Sequence, residues 1–298
     1  MEIGILSIAL LAVWSLIYII FKSIFDSDIY KINENGITEL DNYGNKIVKY
    51  PKDTVQFFIL VTYISILFIF QIVASIMGYK DYAQTTTGVD DVDITSKIPQ
   101  IILYTILPWA FMFGTLIALL KVFPGWKLPF ANTIGFLIVK VLGIKTLANK
   151  LIITYDDIGN SLEPDTDDVN FNRAIRTVKP IIQDPSLILQ EVSSDNFNVF
   201  WKTMEEGKIL KTEESYKIAY NKPREHARST LEQYVNIKEN VAEYIWYILA
   251  GAYIASYVQR IVTDITPPLS EDQLNDELNN TTNQEDNADS GKTYVEEE

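Results

Sequence analysis

A single histidine, His226, and the complete absence of cysteine bound the chemistry open to this 298-residue chain. Without a thiol there is no cysteine nucleophile, no disulfide framework and no thiolate metal site. A serine–histidine–aspartate triad would have to use His226, which sits beside Glu225 and Arg228 in a polar helical stretch, and no G-x-S-x-G precedes a helix. His226 is therefore expected on a helix surface. Neither a P-loop nor a G-x-G-x-x-G is present. The acidic run with Asp156, Asp157, Glu163, Asp165, Asp167 and Asp168 raises calcium as a ligand. An EF-hand needs ligands at alternate positions, a central glycine and a glutamate at the twelfth place, and no window supplies all three. No catalytic residue, cofactor or metal site is expected, and the chain is read as a non-enzyme.

The remaining polar groups of interest lie in apolar surroundings. Gln71 is the one strongly polar side chain well inside the second or third uncharged run, and an interhelical hydrogen bond is its expected role. Pro108 should kink the third run, because a proline inside a helix removes a donor and crowds the preceding turn. The runs hold no buried acid or base of the kind that couples ions in transporters. Gly251 with Ala255, and Ala252 with Ser256, have the spacing for close helix packing.

The elements that must carry these groups are mostly helices. Ile3–Phe21, Thr54–Gly78 and Ile98–Leu120 are uncharged and long enough to cross a hydrocarbon core of about 30 Å. The shorter run Tyr244–Gln259 is bracketed by Glu243 and Arg260, whose long side chains can snorkel. Spans are thus expected at 1–21, 54–78, 98–123 and 241–262. The first is read as a retained anchor, since no basic region precedes it and no cleavage pattern follows at Phe21, Lys22 and Ser23. Residues 22–53 read as a small β meander of IYKI, ITEL and KIVKY, and 79–97 as an acidic loop.

Residues 151–240 form a soluble domain and helical stalk. Helical texture covers Phe171–Ile182 and Asn196–Tyr220, with Phe197, Phe200, Trp201, Ile209, Leu210, Tyr216 and Ile218 as a small core. Pro223 opens a long helix whose stripe runs through Ala227, Leu231, Tyr234, Val241, Ile245 and Ile248, with Lys238 in one slot. The tail, 263–298, is acidic and poor in large apolar residues, and is expected to be disordered.

Between the third span and the soluble domain, 124–150 joins two unlike parts. Phe123, Pro124, Gly125, Trp126 and Pro129 suit a turn at headgroup depth, and Asn132 or Thr133 can cap an in-plane amphipathic helix over Ile134–Leu147. The stretch FPGWKLPFANTIGF, with Phe130, Asn132, Thr133 and Gly135 beside those turn residues, resembles one in uncharacterised multi-pass membrane proteins of large DNA viruses of algae and protists. The resemblance implies a protein of the virion internal membrane, tying lipid to capsid or core. It carries over no catalytic residue.

The fold class expected is mainly α: a multi-pass α-helical membrane protein with a small β meander and a membrane-adjacent polar helical domain. Lysines set its orientation, with five in 22–53 and five in 121–150 against two in 80–97. Positive loops mark the cytoplasmic side, so the soluble domain is expected there. A net charge of −14 argues against nonspecific nucleic-acid binding, and no nucleic-acid partner is expected. The expected function is structural or scaffolding, in a virion internal membrane or a host endomembrane. Partners are the lipid bilayer and proteins met through the polar domain or acidic loops, and a homo-oligomer is compatible. An ion channel or pore subunit, and an accessory subunit of a membrane complex, are the alternatives.

Overall fold

Long apolar runs become long helices, each overrunning its apolar segment. The computed structural model describes residues 2–26, 28–32, 38–41, 43–152, 185–207 and 209–268. The acidic run 156–168, the helix expected over Phe171–Ile182 and most of the tail lie outside them. Helix α1 is Glu2–Ile24 and α2 is Lys52–Thr87, so the acidic loop expected over 79–97 shortens to the residues after Thr87. Helices α3 (Ile98–Pro108) and α4 (Gly114–Val122) are joined by a π-turn over Trp109–Phe113. Among the described residues four helices, Ile5–Ile24, Lys52–Thr87, Thr95–Val122 and Arg224–Thr263, are long and apolar enough to cross a membrane.

The chain divides into two units. One comprises Met1–Val13, Ile64–Thr115 and Ala250–Glu298. Here Ser7 Oγ donates to Gln71 Oε1 at 2.5 Å and Gln71 Nε2 reaches Ser7 O at 3.4 Å, so the expected interhelical bond forms. At Pro108, where a kink was expected, the α-helical pattern gives way to the π-turn over Trp109–Phe113. The π-turn that follows widens the backbone and absorbs the missing donor, so that Thr95–Val122 counts as one 28-residue helix. Thr105 Oγ1 donates to Ile101 O in the turn before the proline. The tail begins in an ordered way: Ile265 is buried and the Tyr79 hydroxyl donates to Thr266 O.

The other unit comprises Trp14–Tyr63 and Leu116–Leu249. The expected meander is instead a triangle. Strand β1 (Ile29–Tyr30) pairs directly with β2 (Val48–Tyr50), and isolated bridges link Ile32 to Thr38 and Leu40 to Lys46. Lys31 N donates to Ile47 O, Ile47 N to Glu39 O, and Glu39 N to Lys31 O, at 2.9, 3.0 and 2.9 Å. The three residues stand eight apart in sequence, and in the second interval Gly44 N donates to Asp41 O at 3.1 Å. Asp28 Oδ1 accepts from Lys52 N and so caps α2 from outside it.

After α4 a 3₁₀ turn over Pro124–Lys127 leads through α5 (Leu128–Phe130) and a π-turn (Ala131–Gly135) into α6 (Phe136–Leu142). α4 ends at Val122, before Pro124, and Pro124 and Pro129 each fall in the first turn of the next short helix, where no N–H is needed. No cap forms at Asn132, and the helix ends at Leu142 rather than Leu147. Gly143, at φ +106°, takes a left-handed conformation that a residue with a Cβ resists, and the axis turns by 76° into α7 (Ile144–Leu151).

Helices α8 (Phe197–Glu206), α9 (Glu213–Tyr220) and α10 (Arg224–Thr263) complete this unit's described part, although α10 continues beyond it. Of the expected core, Phe197, Trp201, Leu210 and Tyr216 are buried and Phe200 packs against them, but Ile209 and Ile218 are exposed. Val139, Ile144, Ala148 and Leu151 join them, so the linking helices belong to the domain core. The buried line of α10 runs Ala227, Leu231, Val235, Lys238 and Ala242; Val235 and Ala242 replace the expected Tyr234 and Val241.

Candidate functional site

Glu243, in the middle of α10, is 4% exposed. It was expected to snorkel from a span end together with Arg260, but of that pair Arg260 alone is exposed. Instead the last turn of α1 brings Lys22 Nζ to 2.6 Å from Glu243 Oε2, and the 3₁₀ turn after α4 brings Lys127 Nζ to 3.2 Å from the same oxygen. The other oxygen accepts from the Tyr247 hydroxyl at 2.9 Å and from Tyr18 at 3.4 Å. Tyr247 is one turn on from Glu243, and Tyr18 one turn before Lys22. These two i,i+4 pairs therefore place all four groups together once α1 and α10 pack side by side.

The carboxylate is fully used. A buried charge is stable only when paired and hydrogen-bonded, and four donors satisfy that requirement. Tyr18, Tyr63 and Tyr247 form a ring cluster beside it, with Tyr18 and Tyr63 stacked at 4.4 Å and Tyr63 and Tyr247 at 5.8 Å. The Tyr63 hydroxyl shares a hydrogen bond with Ser15 Oγ at 2.8 Å. Next to Glu243 lies an open cavity of about 500 Å³. Asp26, Lys52, Asn236 and Asn240 line one end, and Phe57, Leu60, Ile117 and Leu120 form an apolar wall.

A second buried charge sits about one turn away. Lys238 is 1% exposed and its ammonium donates to the carbonyls of Gln190, Val192 and Leu189 at 2.5, 2.7 and 3.3 Å, and to Asn132 Oδ1 at 3.1 Å. Three of these acceptors are at the end of the 3₁₀ turn Pro185–Glu191, whose orphan carbonyls need donors. Next to Lys238 in sequence, Glu239 accepts from Ser194 N and Oγ, both at 2.7 Å. The helix therefore holds the domain by one cation and one anion in succession.

The expected site residues fare unequally. Phe123, Pro124, Gly125, Trp126 and Pro129 are exposed; Trp126 joins the helix packing through its carbonyl, which accepts from Trp246 Nε1 at 2.9 Å. Phe130 packs edge-on to Trp246 at 5.3 Å, and Tyr234 donates to Leu142 O, so Pro124–Leu142 follows α10 from residue 246 back toward 234. In the other unit Gly251 packs on Leu11 and Ala255 is buried, whereas Ser256 is exposed and donates to Ala252 O in its own helix. Among the described residues, the first of the two small-residue pairs is covered and Ser256 of the second is not. His226 is exposed, 3.5 Å from Lys222 Nζ. Among the described residues no three histidine, aspartate or glutamate side chains converge to hold a metal ion. Sequence reasoning missed Glu243 and Lys238; the signals were the Tyr18–Lys22 and Glu243–Tyr247 spacings and a lysine inside an apolar stripe. No family model, curated protein or solved structure matches the chain.

Proposed function

We propose that this chain is a multi-pass integral membrane protein with a structural, non-enzymatic role, in which the Glu243 cluster ties span ends to a membrane-adjacent domain. The observation that carries the membrane reading is an inside-out distribution of side chains. Phe111 is 77% exposed, and Ile5, Val13, Phe57 and Phe58 also face outward, while Gln71, Ser15, Thr105 and Glu243 are buried. In water that arrangement would leave large apolar patches uncovered; in lipid it is the stable one.

The scaffold reading rests on saturation. Glu243 already accepts from two ammonium groups and two hydroxyls, so a passing cation would have to displace them. A rigid joint is what such a cluster provides. The lysine-rich ends, with Lys22, Lys121 and Lys127, are assigned to the cytoplasmic face or virion core. In keeping with the viral likeness of FPGWKLPFANTIGF, the membrane proposed is a virion internal membrane or a host endomembrane.

The test is labelling of single cysteines by an impermeant maleimide in a chain that has none of its own. Ser96→Cys and Ser229→Cys are both exposed positions. Labelling of Ser96→Cys in intact cells and of Ser229→Cys only after permeabilisation is expected. Labelling of both from one side would overturn the four-span arrangement. Steady unitary currents from purified protein in planar bilayers would overturn the scaffold role.

A further inference from the structure

We propose that the cavity beside Glu243 binds a phospholipid, and specifically one with a phosphoethanolamine headgroup; this rests on the membrane reading above. At about 500 Å³ the cavity is within the usual range of small-molecule sites. Its polarity runs along the helices in one sense. On α2, Asp53 and Gln56 come first and Phe57 and Leu60 follow; on α4, Ile117 and Leu120 come first and Lys121 closes the helix. Both polar ends coincide with the span boundaries that Lys22 and Lys127 mark. A ligand that fits has a polar head and an apolar body aligned with the spans.

Charge then selects the head. The lining holds four lysines and four carboxylates, so its formal charge is zero. Most are already spent: Lys52 pairs with Asp26 at 2.7 Å, Glu239 holds Ser194, and Glu243 holds Lys22 and Lys127. Among the described residues Lys121 and Asp53 have no ionic partner. One free cation and one free anion suit a zwitterion, with its phosphate at Lys121 and its ammonium at Asp53. A polyphosphorylated headgroup would bring unmatched negative charge. A quaternary choline has no N–H to donate to Asp53, whereas a primary ammonium has three.

The experiment is native mass spectrometry of the purified full chain, titrated with phosphatidylethanolamine, phosphatidylcholine and phosphatidic acid, with soluble phosphoethanolamine as competitor. Phosphatidylethanolamine should be retained preferentially. Lys121→Gln and Asp53→Asn should each weaken that retention about tenfold, the loss of one charge-assisted hydrogen bond, while Lys202→Gln leaves it unchanged. Lys121 and Asp53 are exposed, so thermal unfolding should stay at the wild-type value in both variants. Equal retention of the three lipids, or variants that bind like wild type, would overturn the proposal. Soluble phosphoethanolamine binding as tightly as the lipid would also overturn it, since the apolar wall would then be idle. Resistance to alkaline carbonate extraction separates the two readings: a protein released by carbonate refutes the membrane reading, and a retained protein without lipid selectivity refutes this one alone.

Discussion

Gly135 lies directly against the carbonyl oxygen of Lys238, with no room for a Cβ between them. The π-turn over Ala131–Gly135 thus brings its backbone onto α10 where the buried lysine reaches the 3₁₀ turn. Gly135→Ala should destabilise the protein by about 1–3 kcal/mol, since an inserted methyl must displace backbone. Gly125→Ala, with nothing within 4 Å, should be neutral. Denaturant unfolding in detergent, followed by tryptophan fluorescence, distinguishes the two.

Removing the Glu243 charge leaves Lys22 and Lys127 facing each other without a counter-ion. Glu243→Gln should cost about 3–5 kcal/mol in the same unfolding assay. Adding Lys22→Met to it should recover part of that loss, because one of the two stranded charges is gone. A double variant less stable than Glu243→Gln alone would mean that Lys22 contributes by packing rather than by charge.

The two small-residue pairs of α10 make opposite predictions. Gly251→Ala meets Leu11 and should lower thermal stability, whereas Ser256→Ala, at an exposed position, should change it by less than about 0.5 kcal/mol. A large effect at Ser256 would place a further copy or partner against that face.

Trp109 is buried, and among the described residues its indole N–H has no acceptor. An unmade buried hydrogen bond costs about 1–3 kcal/mol, which offsets part of what the ring contributes. Trp109→Phe should therefore be nearly neutral in thermal unfolding, while Trp109→Ala should lose about 3–5 kcal/mol.

Asp41 Oδ1 accepts from the backbone N–H groups of Asn45 and Tyr43, both at 2.8 Å, and these bonds hold its carboxyl below the ordinary value of 3.8. A carboxyl lowered in this way stabilises the turn above its unfolded value and loses that contribution as pH falls through the folded one. Amide exchange at Tyr43 and Asn45 should accelerate as pH drops below about 4, beyond the intrinsic trend. Asp41→Ala should abolish the extra acceleration.

The four long helices were legible because an uncharged run of such length has few other fates. Gln71 was legible for a similar reason: a lone amide in an apolar helix must find a partner, and Ser7 is it. Pro108 marked the place of an irregularity, but not its form, because no propensity rule tells where a π-turn will take up a missing donor. Glu243 was hidden since its partners come from residues 22 and 127, remote in sequence, and its burial is decided by their convergence. Lys238 was read as a flaw in an apolar stripe; the carbonyls that accept from it lie nearly fifty residues earlier, where no local pattern could announce them.

The triangle of Lys31, Glu39 and Ile47 bears on how copies of the chain can meet. In an open hairpin one strand always shows a row of unsatisfied amides, a template on which another chain can add itself. Here each of the three residues uses both its N–H and its carbonyl within the ring, so these three positions close on one another. Strand-by-strand growth has no place to start at these residues. A second chain therefore finds no free backbone group at Lys31, Glu39 or Ile47, and contacts between copies at these three residues fall to their side chains.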